Sequence, residues 1–441
     1  MVLSAEIPAA LAGLAQMSNR YGRDPRYVLA GGGNSSWKNG DVMFIKSSGA
    51  RLGNITAGNF AGMDRRRLDA LMEMRFDRLG DAEREAKVLA EIMAARLPGY
   101  DGLRPSVETP LHNLLSYTYV LHLHPALVNG MTCGTWGENT AAELFGDRMI
   151  WIPEYKPGFL LSKICEREIA LYSAERGAPP KIIFMQNHGV FVSADSIAEV
   201  DAIYSDIMEK LGAKAIIKPD KAGFAVGLAV SSGQGEGGGP GSLTVYGDAD
   251  GETDNGIMND MFGKKNRYQP AGPTVKLGKG ETVDIYHYFH MLITVSRHYR
   301  HVYYMNNGDI QRFLESGEKF RKLNGAFTPD HIVYCKARFL YIDACADDRD
   351  FIKSLFNEHA AFVDKYGYEP YVICVRGIGA FILAQTHDEA ANARDLFADA
   401  VNVAVYSRNF GSPRFLSDDI VRFVENWEIE RYRKNAGKTG G

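Results

Sequence analysis

The chain has 441 residues, 45% of them hydrophobic and 24% charged, ordinary globular values that exclude a disordered chain or a collagen-like fibre. Lys and Arg number 50 against 54 Asp and Glu, a formal net charge of -4, which argues against a nucleic-acid binder driven by bulk positive charge. No apolar run is long enough to span a bilayer, and at roughly 100–200 residues per domain the length predicts two or three domains.

Residues 1–22 lack a basic leader, and Glu6 interrupts their apolar stretch, so they predict an amphipathic helix rather than a signal peptide. Tyr27 to Ala30 is short and apolar, and Gly31-Gly32-Gly33 turns the chain. Asp41 to Lys46 (DVMFIK) is strand-like. Asp64 to Leu97 is rich in helix formers and predicts helix. Val120 to His124 and Ile182 to Gln186 predict buried strands. Ser196 to Leu211 predicts a helix opened by a capping box of Ser196 and Glu199. From Ala229 to Ser242 the chain reads AVSSGQGEGGGPGS, a poor helix or strand. This divides the chain into residues 1–225, a Gly-rich linker or loop at 226–272, and a smaller α/β unit at 273–441.

IIFMQNHGVFVSADSIAE from Ile182 aligns without gaps on VICVRGIGAFILAQTHDE from Val372. Gly189 falls on Gly379, Phe191 on Phe381, and the capping box on Thr386 and Glu389. The second α/β unit thus reads as a degenerate copy of the first, or as a chance match, with His188 replaced by Ile378. The five cysteines are scattered without a CxxC pair and read as reduced thiols of a cytoplasmic protein, Cys133 as a small buried residue. His287, His290, His298 and His301 lack a completing motif and read as solvated or core histidines. The aromatic run from Tyr286 to Tyr304 is a core element or an interface.

Four features carry chemistry. His122 and His124, two apart on a strand, point to one face and can reach one metal ion. His188 in QNHGV is either a core histidine or the third ligand. Three neutral imidazoles leave a divalent ion at full charge with open positions, the catalytic pattern; zinc is favoured, with cobalt, nickel or manganese as substitutes. Glu108 in RPSVETPLH is a general acid/base beside such an ion, a helix N-terminal Glu, or both. The turns GGGNSSWK and KSSGARLG expose backbone N–H groups and hydroxyls that can cradle a phosphate. Lys38 and Lys46 either supply positive charge to such a cradle or, as strand-flanking lysines, are simply solvated, which is the expected case.

The ordered set GGGNSS, KSSG, S-x-E before a helix, H-x-H and NHG, over about residues 10–225, resembles the class II aldolase/adducin family, in particular its rhamnulose-1-phosphate and fuculose-1-phosphate aldolases. The C-terminal half, with TPDHIVYCK and NWEIERYR, looks like extended bacterial members of that family, some of which add a short-chain dehydrogenase domain. No Rossmann fingerprint is present and the chain ends before such a domain, so no dehydrogenase activity is expected. The resemblance implies a three-layer α/β/α domain with a mainly antiparallel central sheet. It implies Zn2+ on His122, His124 and His188, with Glu108 as catalytic acid/base. Asn34, Ser48, Gly49 and Ser106 match substrate phosphate positions, while Val107 stands where some aldolases carry a second serine.

The implied activity is reversible cleavage of a ketose, as ketose 1-phosphate, to dihydroxyacetone phosphate and an aldehyde through a zinc-stabilised enediolate. A cytoplasmic homo-oligomer, tetrameric in the family, is the implied assembly, with no nucleic-acid or membrane partner. Epimerase, dehydratase or decarboxylase chemistry on the same histidines is the nearest alternative. A non-catalytic adducin-like scaffold, which would lack the ligands, is the other.

Overall fold

A computed structural model describes residues 2–76, 78–220, 299–343 and 348–427, the strand segments 224–230, 243–246, 274–276 and 282–284, and a few helical positions between 288 and 295. The Gly-rich stretch lies almost wholly outside the described residues, as do His287, His290 and His298. Two compact units are interleaved along the chain: Met1–Lys218, Ala326–Val333 and Asn402–Gly441 form one, Pro219–Gly325 and Tyr334–Val401 the other.

Seven strands build the first unit: β1 (Asn34–Asn39), β2 (Val42–Lys46), β3 (Phe60–Asp64), β4 (Tyr119–Leu123), β5 (Met149–Ile152), β6 (Ile182–Met185) and β7 (Gly189–Ala194). Their order is β3-β2-β1-β4-β7-β6-β5. Only β5 and β6 pair in parallel, so the mainly antiparallel sheet expected from the sequence is present. The strands are buried on both faces, β1 included although its residues are mostly polar, and each face is covered. Leu121, Leu123, Phe184, Val190 and Val192 face one cluster with α1 (Val2–Gly22), α5 (Ala126–Thr132), α6 (Gly137–Phe145) and α8 (Ile197–Lys214). Their neighbours Val120, Ile183, Met185 and Phe191 face the other side, against α4 (Thr109–Leu114) and α7 (Phe159–Arg176). Met43, Ile45 and Met63 extend that side under α2 (Arg65–Glu73) and α3 (Asp81–Ala94). The period-two alternation thus yields three layers, α/β/α.

The helix predicted over 64–97 is two helices. Gly80, in extended backbone, caps the second, whose first turn carries Asp81 and Glu83 at the positive end of the helix dipole. Breaking there aims Leu68, Leu71 and Met72 of α2 and Val88 and Ile92 of α3 separately at the sheet. Tyr27 and Ala30 lie in turns, with irregular backbone between them. Cys133, Cys165, Cys335 and Cys374 are free and buried. Among the described residues no helix is long and apolar enough to cross a membrane.

The second unit repeats the plan. Its strands β8 (Phe224–Val230), β9 (Leu243–Tyr246), β12 (His301–Asn306), β13 (Leu340–Ile342), β14 (Val372–Val375) and β15 (Gly379–Ala384) run β13-β14-β15-β12-β8-β9. β10 (Thr274–Lys276) and β11 (Thr282–Asp284) form a separate antiparallel pair. Among the described residues of its sheet, again only one pair, β13 with β14, is parallel. This is the order and direction of β5-β6-β7-β4-β1-β2. Details repeat as well: Gln186 N–H donates to Ile152 O, and Arg376 N–H to Ile342 O, both at 2.9 Å. Ser196 accepts from Glu199 N–H and Thr386 from Glu389 N–H, the N-cap half of each predicted capping box.

Candidate metal centre

His122 lies on β4 with Asn34 of β1 on one side and Phe191 of β7 on the other. It is fully buried, and its ring stacks on Phe191 at 3.9 Å and 14°. His124 follows just past the strand end, on the same face. His188 comes from the tight turn between β6 and β7. Ring centroids lie 4.6 Å apart for His122 and His124, 5.0 Å for His122 and His188, and 5.3 Å for His124 and His188. One ligand atom from each falls within 4.8 Å of the others. The turn works because residue 189 has no side chain: a Cβ there would come within 2.5 Å of Leu123 O and 2.7 Å of His124 Cδ2.

Second partners orient the rings. His122 Nδ1 faces Val190 O at 3.1 Å, and a carbonyl only accepts, so Nδ1 carries the proton. His124 Nδ1 faces Asp330 Oδ2 at 2.6 Å, which fixes the same tautomer. The two Nε2 atoms then face each other at 2.8 Å, both bearing lone pairs that a shared cation would satisfy. Burial pushes the His122 imidazole well below its ordinary value, keeping it in the neutral form a ligand needs.

Glu108 is the N-cap residue of α4, as the helix N-terminal reading expects, but its side chain makes no capping hydrogen bond there. Its Oε1 sits 3.5 Å from His122 Nε2 and 3.4 Å from His188 Nε2, buried and with no hydrogen-bond partner. An orphaned carboxylate oxygen beside two imidazole nitrogens of a three-histidine cluster fits a cation-binding centre. Burial alone would raise the Glu108 carboxyl, but His122, His188 and the Asn34 amide outweigh it and hold the group at about 2. It is a ready base.

Its other oxygen accepts from Asn34 Nδ2. Asn34 in turn is oriented by His112, which the sequence reading passed over. His112 Nε2–H donates to Asn34 Oδ1 and Nδ1 accepts from Ser36 Oγ at 2.7 Å. Burial, with Lys38 nearby, pushes the His112 imidazole down to about 3. Its position in ETPLH, one helical turn after Glu108, was the available signal.

The cavity at the centre measures about 40 Å³ and is lined by all four expected phosphate positions, Asn34, Ser48, Gly49 and Ser106, together with Glu108, His124 and His188. Lys46 lines it too. The expectation that Lys38 and Lys46 are solvated is corrected: they are 4% and 3% exposed, because helices cover both faces of the sheet. Lys38 Nζ donates to His112 O at 2.8 Å. A larger cavity of about 400 Å³, between α3 and the helix Asp418–Asn426, shares Trp427 with the small one.

Two further residues escaped the sequence reading. Asn187, fully buried with a left-handed φ of 55°, donates through Nδ2 to Phe327 O at 3.0 Å and Arg414 O at 2.8 Å. Asp330, already noted behind His124, comes from the same distant segment as Phe327.

Residues 12–205 match the family model of the Class II Aldolase and Adducin N-terminal domain. The chain is also 24% identical, over 98% of its length, to a Bacillus subtilis (strain 168) protein bearing the name uncharacterized oxidoreductase YuxG, and spans 59% of that relative. Among solved structures, the N-terminal class II aldolase domain of a conserved protein from Thermoplasma acidophilum is 25% identical, with a TM-score of 0.39, covering 46% of this chain and 91% of that one. L-fuculose-1-phosphate aldolase from Thermus thermophilus is 12% identical, with a TM-score of 0.31, covering 46% and 93%.

Proposed function

We propose that the chain is a metal-dependent aldolase that reversibly cleaves a ketose, taken as its 1-phosphate, to dihydroxyacetone phosphate and an aldehyde. The observation that carries this reading is the orphaned Oε1 of Glu108 facing His122 and His188 of the three-histidine cluster. His122, His124 and His188 would hold a divalent ion, zinc by ligand type, which when bound supplies the electrophile that polarises the ketose carbonyl.

The protein's own groups do the rest. Glu108 is ionised and positioned by Asn34. In the synthetic direction its carboxylate takes the proton from the carbon beside the carbonyl, that carbon's electron pair forms the new bond to the aldehyde carbon, and the aldehyde oxygen takes the proton from the Glu108 carboxylic acid to become a hydroxyl. In cleavage the Glu108 carboxylate takes the proton of that hydroxyl as the carbon–carbon bond breaks, the pair stays with the ketone fragment, and the Glu108 carboxylic acid gives the proton to its carbon. Asn34, Ser48, Gly49 and Ser106, with Lys46 beside them, form a polar end of the cavity suited to a phosphate. The enzyme is read as a cytoplasmic homo-oligomer, tetrameric as the resemblance implies. A scaffold role would leave the convergence of three imidazoles and a buried carboxylate without purpose.

The test is metal content by elemental analysis of protein purified without a metal-affinity tag, followed by a screen of ketose 1-phosphates for aldehyde release. About one ion per chain in wild type and Glu108→Gln, but not in His122→Ala, is the expected result. Metal-free wild type that cannot be reconstituted would sink the enzyme. Metal uptake with epimerised, dehydrated or decarboxylated product in place of aldehyde would move the reading to those chemistries.

A further inference from the structure

The helix Pro329–Cys335 begins against the metal centre. Thr328 precedes it, and the Thr328 N–H donates to His331 Nδ1 at 3.3 Å; proline fits the first helical position because no donor is needed there. This turn places Asp330, 5% exposed, behind His124. Gly32 packs across it, where a Cβ would come within 2.6 Å of Asp330 Oδ2. Phe327 O, just upstream, is held by Asn187 from the turn that carries His188. The segment is thus pinned from two sides of the histidine cluster.

The two histidines of β4 therefore have different partners. His122 has a neutral backbone carbonyl behind it, at 3.1 Å, whereas His124 has a carboxylate, at 2.6 Å. A carboxylate behind an imidazole fixes its tautomer, stops the ring turning, and makes the far nitrogen a stronger donor to a metal. The family match ends at residue 205, so Asp330 lies outside it.

We propose that Asp330 is a positioning residue of the metal centre, holding His124 with its Nε2 lone pair toward the ion and tightening the ion's binding. The proposal rests on His122, His124 and His188 being a metal site.

Metal-free wild type, Asp330→Asn and Asp330→Ala would be titrated with Co2+, read by its visible absorption, and with Zn2+ against a chromophoric chelator. Asp330→Ala should bind 10–100-fold more weakly with an altered Co2+ spectrum. Asp330→Asn, which keeps an acceptor for the Nδ1 proton but no charge, should fall between. A purely structural ion pair would lower the melting temperature of the metal-free variants yet leave metal affinity and spectrum at wild-type values. That result overturns the proposal while the metal site stands. Wild type that takes up neither ion overturns the metal reading and the role of Asp330 with it. If Asp330→Ala does not fold, the isosteric Asp330→Asn decides alone.

Discussion

The turn joining β6 to β7 and the turn joining β14 to β15 share a backbone and differ in chemistry. Asn187 and Gly377 both take left-handed φ, 55° and 74°. His188 N–H donates to Met185 O and Ile378 N–H to Val375 O, at 3.2 and 3.1 Å. On the next strand, His122 pairs with Phe191 and Tyr304 with Phe381. In the first sheet the result is a cluster of imidazole nitrogens open to a cavity. In the second, the Tyr304 hydroxyl donates to Ile378 O at 2.7 Å, so the buried polar group is satisfied within the unit. Strand order, tight turn and capped helix therefore need no ion. The chemistry rides on a few side chains at one end of the sheet.

Breaking the chemistry alone should give the largest effect. Glu108→Gln should slow aldehyde release about 10²–10⁴-fold with metal content unchanged, checked by steady-state rates and elemental analysis. Loss of metal from this variant would make Glu108 a ligand instead.

Truncating the ring at equivalent places sharpens the comparison. Phe191→Ala and Phe381→Ala should each cost about 3–5 kcal/mol in chemical denaturation. Only Phe191→Ala should also weaken metal binding, because Phe191 stacks on His122. Equal metal affinity in both would show that the stack does not steady the ligand.

Acid should find the first unit first. His112 is held at about 3 in the fold against an ordinary 6.5. Between those values the unfolded chain takes up a proton the folded chain refuses, so stability is complete above pH 6.5 and declines as pH falls, by at most about 1.4 kcal/mol per pH unit. Denaturation of metal-free protein at pH 7, 6 and 5 should show this slope, reduced in His112→Gln. An identical slope in the variant would mean that the imidazole titrates freely.

The smallest effect should be symmetrical. Ser196→Ala and Thr386→Ala remove equivalent caps, each costing about 1 kcal/mol. Unequal losses would show that only one box holds its helix.

Local periodicities made much of this legible. Two histidines two apart on a strand must share a face, and the capping boxes mark helix starts in both units. Asn34, Ser48, Gly49 and Ser106 do line the cavity. What stayed hidden depends on distance along the chain. Nothing near Asp330 signals that it reaches His124, because the contact is made by tertiary packing of a segment far downstream. Lys38 and Lys46 misled for a related reason: a strand's own pattern cannot tell whether both faces will be covered. His112 was visible, but its role needs the amide orientation of Asn34, which only the folded arrangement supplies.

Asn187 has a consequence for how the molecule is made. A growing chain already contains all three histidines by residue 188, yet the carbonyls that hold Asn187 belong to residues 327 and 414. Synthesis proceeds at roughly 5–20 residues per second, and contacts between residues so far apart are slow to form. The histidine cluster is therefore spelled out early and braced late.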